Sequence, residues 1–391
     1  MELRRLLASP PPPGRNWPRS AFWHQDEDGR LAVIRFGHGK RALDLLAYGL
    51  QHLDGRELHL VVPREAVAAT RARAAFLDAP VHVHRTQDTG FRDAEPHMDQ
   101  TEARQFFRKL GGLTPLIAFD TSSWPSWLVD VASSLESRDV DCSQTTRSVV
   151  WRYQGRQVLA VRPASSGTLA LTAGADFTTS GSDRLAPVRR TVTATTQLTS
   201  PELDELRSTI DTAIERRRQG EDPGHRERLL QATISADPGL IGMTQLRREV
   251  PAWRPRLNPY RGRAYIDLLG RDIDRTGHVI EVKIRPASQL GIQALDYWAW
   301  AQARSTKLAE TVGADTDRPF QLDVVLGSQA AKSPLHPAAV ATLQAMVSTV
   351  RWRCHLIFDW DTTDDPARRL TPKAETLPPG QLPKWGSCPH Q

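Results

Sequence analysis

The stretch AYIDLLGRDIDRTGHVIEVKI, residues 264–284, constrains this chain more than any other. Two apolar runs flank the polar connection DRTG, a pattern that predicts two antiparallel strands joined by a tight turn. Alternate residues of a strand share a face, so Glu281 and Lys283 project together while Val282 points into the opposite, apolar layer. A hairpin centred near 274–275 sets Asp267 opposite 281–283 and close to Glu281. Two carboxylates placed side by side repel each other, and a divalent cation would neutralise them. Oxygen ligands suit Mg2+, with Mn2+ as the substitute, over a softer metal, and sparse protein ligation leaves room for water and a phosphate oxygen. Such an ion can polarise a phosphodiester and stabilise charge developing on its non-bridging oxygens. Lys283 could orient the attacking water, lower its pKa or stabilise the transition state, and electrostatics allows all three. Asp272 and Asp274 fall in the connection, where aspartate is a common turn former.

The 391 residues suffice for two ordinary domains, and 39% hydrophobic with 25% charged residues describes a folded, soluble chain. Residues 1–20, with the Pro10 to Pro13 run, read as an irregular lead-in. LAVIRF at 31–36, LHLVV at 58–62 and VHVH at 81–84 have strand composition, with helical patterns between them, and PLIAF at 115–119 adds a further strand. SVVWRY, QVLAVRP and TLALTA between 148 and 173 read as a β-meander. These segments make 21–195 an N-terminal α/β region for recognition or assembly. The run ELDELRSTIDTAIERRRQ makes 196–221 a helical connector. HRERLLQATIS opens the next helix, with Glu227 near its start, and a helix at 289–308, strands at 320–326 and 351–358 and a helix at 336–347 follow the hairpin. Residues 222–362 thus form a second α/β domain, and 363–391 a Pro-rich tail.

The formal charge of +6 permits a polyanionic partner without requiring one. Arg254, Arg256, Arg261 and Arg263 gather beside the acidic motif and are candidates for phosphate contact; Arg216, Arg217 and Arg218 are weaker ones, an ordinary solvated surface being the alternative for both groups. Cys142, Cys354 and Cys388 lack paired spacing, which excludes a zinc knuckle or disulfide framework and fits a reducing cytoplasm. Neither a signal-peptide core nor an apolar run of spanning length occurs, so no membrane association is expected. Gly37-His38-Gly39-Lys40 lacks the full phosphate-loop pattern. His82 and His84 share one side of a strand without a third ligand at diagnostic spacing, and read as a surface or interface pair. Most of the eleven tryptophans are expected in cores or interfaces; Trp298 and Trp300, beside Tyr297, cannot all share one helix face.

Asp267 followed by Glu281-Val282-Lys283 resembles the D…(D/E)xK signature of the PD-(D/E)XK endonuclease superfamily, with Ile266 in place of the signature proline. HRERLLQATISADPGLIG, RGRAYIDLLGRD, HVIEVKI and Gln293-x-x-Asp296-Tyr297 resemble its prokaryotic repair and restriction-type nuclease domains. The resemblance covers roughly residues 222–360. It implies a restriction-endonuclease-like core with a central mixed β-sheet flanked by helices. It further implies Asp267, Glu281 and the Val282 carbonyl as metal ligands, joined by Glu227, with Lys283 as the catalytic cation and Gln293 and Tyr297 bordering the site. The expected activity is Mg2+- or Mn2+-dependent endonucleolytic cleavage of DNA in the cytoplasm, in repair or antiviral defence, with a homo-oligomer or a repair or defence protein as further partner. The alternative is a non-catalytic nucleic-acid-binding or assembly protein that keeps the nuclease-like fold. A glycosidase would leave Lys283 without a role.

Overall fold

The computed structural model describes residues 21–25, 31–35, 42–51, 53, 57–87, 90–113, 120–136, 138, 140–145, 148–164, 167–174, 187–219, 226–255, 263–327, 335–360 and 372–377. It is a mixed α/β structure in which these residues form three sheets. The segment 115–119, expected as a strand, lies outside the described residues, as do the GHGK run and the arginines at 256 and 261.

The first sheet takes its strands in chain order: β1 (Ala21–Gln25), β2 (Leu31–Arg35), β3 (Leu58–Val62), β4 (Val81–Gln87) and β5 (Gly90–Ala94). The inner pairs β2–β3 and β3–β4 are parallel and the outer pairs antiparallel. Parallel neighbours need a crossover, supplied by α1 (Ala42–Gln51) and α2 (Arg64–Ala74). Alternation along β3 sends Leu58, Leu60 and Val62 into the core and His59 to the other face. α3 (Gln100–Lys109) starts at Asp99, whose carboxylate accepts the Glu102 N–H at 2.8 Å while Glu102 accepts the Asp99 N–H at 3.2 Å. Two of the helix's orphan donors are thereby satisfied reciprocally.

The second sheet is antiparallel throughout: β6 (Val140–Thr145), β7 (Ser148–Tyr153), β8 (Arg156–Pro163), β9 (Leu169–Ala173) and β10 (Val188–Val192), each beside its chain neighbour. The meander expected at 148–173 is its centre, extended by one strand on either side. α4 (Ser126–Glu136) and α5 (Ser200–Arg218) share its core, which includes Trp127, Leu128, Trp151 and Val161. The segment expected as a connector is therefore part of this unit. Leu206, Ile210, Ala213 and Ile214 recur at helical spacing on α5 and are buried in that core.

The third sheet runs β11 (Met243–Trp253), β12 (Arg263–Asp272), β13 (Gly277–Lys283), β14 (Gln321–Gly327), β15 (Trp352–Phe358) and β16 (Lys373–Leu377). Only β13–β14 and β14–β15 are parallel. The helices here are α6 (Arg226–Ala236), α7 (Leu290–Gln302), α8 (Ser305–Val312) and α9 (Pro337–Gln344). On one face, Leu230 and Ile234 of α6 pack on Leu268, Ile280, Val282, Val325 and Ile357. On the other, Ile292, Leu295 and Trp298 of α7 pack with Val279, Leu322 and Val324. Strands buried on both faces read as continuous apolar runs, as in QLDVVLG of β14.

The α7 core does not stop at the C-terminal region. Leu45, Leu60, Phe76 and Phe107 of the N-terminal region belong to the same apolar cluster, and the Phe76 ring stands edge-on to Trp298 with centroids 5.4 Å apart. The first and third sheets thus enclose one shared core, while the second sheet keeps its own. No described helix is long and apolar enough to cross a membrane.

Candidate active site

The candidate site forms where β12 parts from β13. Their pairing runs from Arg271↔Gly277 to Leu268↔Ile280, which carries Asp267 to the level of Glu281, and stops there. On the other side of β12, pairing with β11 skips Asp267, because Glu249 adopts a left-handed backbone with φ of 50°. Such a conformation costs a non-glycine residue on the order of 1–2 kcal/mol. Arg152 at 3.0 Å and Arg228 at 3.7 Å hold the Glu249 carboxylate. The alternation of β12 breaks at this point: Leu268 packs toward α6, whereas Ile266 and Leu269 both join the α7 core. Asp267 is left to accept the Val282 N–H at 2.9 Å, so a side chain replaces a backbone partner where the ladder ends.

Alternation on β13 sends Val282 to the α6 side and Glu281 to the α7 side, as the sequence pattern requires. The Lys283 ammonium lies 2.9 Å from Glu281 Oε1, 3.1 Å from Glu227 Oε1 on the first turn of α6 and 3.8 Å from Asp267 Oδ2, and it donates to the Val282 carbonyl at 2.8 Å. Gln293 of α7 donates its amide N–H to Glu281 Oε1. Glu281 is fully buried, and its Oε2 has no hydrogen-bond partner.

Burial, then the neighbouring Glu281 charge, holds the Asp267 carboxyl well above the usual carboxylate range, against the pull of Lys283 and the Val282 N–H. Burial likewise raises Glu281, and Lys283 offsets this only in part. For Lys283, burial opposes the charge, but Glu281, Asp267 and Glu227 outweigh it and raise its pKa, so the ammonium stays protonated at neutral pH. The Tyr297 phenol is raised by burial and by Glu281, and keeps its proton.

When ionised, three carboxylates around one ammonium leave two negative charges in excess. The all-oxygen donor set, with the Val282 carbonyl beside it, is the chemistry a hard divalent cation prefers. The unpartnered, buried Glu281 Oε2 is the observation that fits such an ion, since a buried acceptor left alone costs about 1–3 kcal/mol. The three carboxylates do not all close to within 4.8 Å of one another; the Lys283 ammonium stands among them.

The structure thus brings together Glu227, Asp267, Glu281, Val282, Lys283 and Gln293, with Tyr297 on the same α7 face as Gln293. Of the four arginines read as candidate phosphate contacts, Arg254 is the one whose side chain is described. Arg254, with its side chain only 12% exposed, lies 3.3 Å from Asp296 and sets its guanidinium 5.2 Å from the Tyr297 ring centre. Its charge serves a buried carboxylate rather than an open surface. Arg256 and Arg261 lie outside the described residues, and Arg263 begins β12 opposite Trp253, its side chain likewise outside the description. Asp272 does form the turn, accepting the Thr276 N–H at 2.8 Å.

Two residues behind the site were not legible from spacing. Asp296 is fully buried on α7, and Arg73 of α2 grips it with Nε at 2.7 Å and Nη2 at 3.0 Å. A single acid inside the apolar run GIQALDYWAW was the available signal for Asp296. Arg73 had none, because its partner is 223 residues away. No family model, curated protein or solved structure matches the chain.

Proposed function

We propose that this chain is a Mg2+- or Mn2+-dependent phosphodiesterase acting on nucleic acid, specifically a deoxyribonuclease whose third sheet is a restriction-endonuclease-like core. The observation that carries this reading is the convergence of Glu227, Asp267 and Glu281 on Lys283, with a buried Glu281 oxygen left unpartnered. A bound divalent ion would supply Lewis-acid polarisation of the phosphodiester and a more acidic water. Asp267, Glu281 and the Val282 carbonyl are the groups that would hold it, with Glu227 as the more exposed contributor. Gln293 keeps the Glu281 carboxylate oriented through its Oε1. Lys283 has a raised pKa, so it acts as a donor of N–H and not as a general base. With part of the carboxylate charge compensated, its N–H groups become available to a phosphate oxygen or the attacking water. The protonated Tyr297 hydroxyl borders the same pocket as a further donor. Repair or antiviral defence is the setting such an activity suits.

The test is cleavage of single-stranded, duplex, branched and mismatched DNA with Mg2+ and with Mn2+. Wild type should cut at least one substrate, and Asp267→Asn and Lys283→Ala should each lower the rate by about 100- to 1,000-fold, the scale of losing one preorganised electrostatic group. Wild-type inactivity across the panel with both ions would sink the proposal. A non-catalytic nucleic-acid-binding role is favoured by one observation, the ammonium already standing among the carboxylates. Calorimetric Mg2+ or Mn2+ binding that vanishes in Asp267→Ala and Glu281→Ala would count against that reading.

A further inference from the structure

We infer that Glu57, His59 and His82 form a second metal site, for a borderline transition ion of the Zn2+ class, on the face of the first sheet turned away from its core. In the parallel register of β3 and β4, His59 stands directly beside His82. Leu58, Leu60 and Val83 occupy the core face, so the histidines share the other one. The two rings are stacked, with centroids 4.6 Å apart and planes 18° from parallel. Glu57, which precedes β3, brings Oε2 to 3.4 Å from His59 Nε2 and 3.6 Å from His82 Nε2. One ligand atom from each of the three residues lies within 4.8 Å of the others, and no other group of three or more His, Cys, Asp or Glu among the described residues does this.

Around a tetrahedral ion with bonds of roughly 2.0–2.2 Å, ligand atoms stand about 3.3–3.6 Å apart. The two separations from Glu57 match that spacing and are long for direct hydrogen bonds. Both Nε2 atoms are buried and lack a hydrogen-bond partner. His84 Nε2 lies 3.1 Å from His59 Nδ1. With the proton on Nδ1 donated to His84, the lone pair of His59 falls on Nε2, the atom 3.4 Å from Glu57 Oε2. A ligating histidine is commonly oriented by this type of outer contact. Two imidazoles and one carboxylate favour Zn2+, Ni2+ or Cu2+ over Mg2+, and three protein ligands leave a fourth position for water. The half-exposed side chain of Glu57 gives that position access to solvent.

The full chain, stripped with a chelator, is titrated with Zn2+ by calorimetry in excess Mg2+, beside His82→Ala, Glu57→Gln and Asp267→Asn. One Zn2+ per chain is expected, with affinity lowered at least 10- to 100-fold in the first two variants and unchanged in the third. Both altered residues are surface-accessible, and far-ultraviolet circular dichroism verifies that each variant is folded. Absence of Zn2+ binding in wild type overturns the inference, as does wild-type affinity retained in His82→Ala and Glu57→Gln. Binding lost in Asp267→Asn alone would also overturn it, by assigning the ion to the acidic site.

Discussion

Asp267 carries a charge that the metal-free fold disfavours, because burial and Glu281 both oppose its ionisation. A carboxyl whose pKa is raised on folding contributes most to stability below its unfolded value, about pH 4, and loses that contribution as pH rises through the folded value. Asp267→Asn keeps an oxygen able to accept the Val282 N–H while removing the charge. It should raise the urea midpoint of the metal-free chain at pH 8 and leave it unchanged near pH 3. Asp323 of β14 behaves oppositely. Although burial works against its charge, contacts from His278 at 2.6 Å, Arg353 at 2.9 Å and His355 at 3.3 Å hold its carboxyl well below the usual range. Its stabilisation is present above about pH 4 and is lost as pH falls through the low folded value. Asp323→Asn should cost about 3–5 kcal/mol in urea denaturation at pH 7, the usual penalty for breaking a buried charged cluster. A deficit that does not shrink in acid would contradict this account.

At the scale of elements, β12 to β15 of the third sheet were legible because their apolar runs are long and their turn is short, whereas β11, in an arginine-rich passage, and β16, in the Pro-rich tail, were not. The place where β12 leaves β13 was not, since it depends on the left-handed Glu249 of a third strand and on Arg152 from another sheet. α7 shows how closely elements meet near the site. A Cβ on Gly291 would lie 2.6 Å from Thr342 Cβ and 3.1 Å from the Ala339 carbonyl of α9. Gly291→Ala gains up to about 1 kcal/mol in helix propensity. Overpacking costs roughly 1–3 kcal/mol and should win, because the obstructing atoms include backbone. The variant should therefore unfold at lower urea. Under the proposed nuclease function it should also cleave more slowly, since Gln293 lies two residues along the displaced helix.

On the scale of the whole molecule, the first and third sheets depend on each other. Phe76 and Phe107 fill the same core as Trp298, and Arg73 neutralises the buried Asp296 behind Tyr297. A fragment beginning at residue 196 would expose that apolar surface and leave Asp296 with Arg254 alone. It should be insoluble or bind a hydrophobic dye strongly, whereas a soluble, cooperatively unfolding fragment would show the core to be separable. Arg73→Ala in the full chain should cost about 3 kcal/mol, near the lower end for a broken buried pair because Arg254 remains. The sequence by itself determined the local facts: that apolar runs such as LHLVV, HVIEVKI and QLDVVLG become strands, which residues of β13 share a face, and that Asp267 and Glu281 fall level across the turn. Period and turn length act within a few residues and need no partner to be read. Tertiary structure alone decided that Lys283 meets Glu227 across 56 residues, that Arg254 turns inward to Asp296, and that His59 stands beside His82. Those contacts join segments whose separation carries no period, and burial, which raises the Asp267 and Glu281 carboxyls, exists only once the layers have closed.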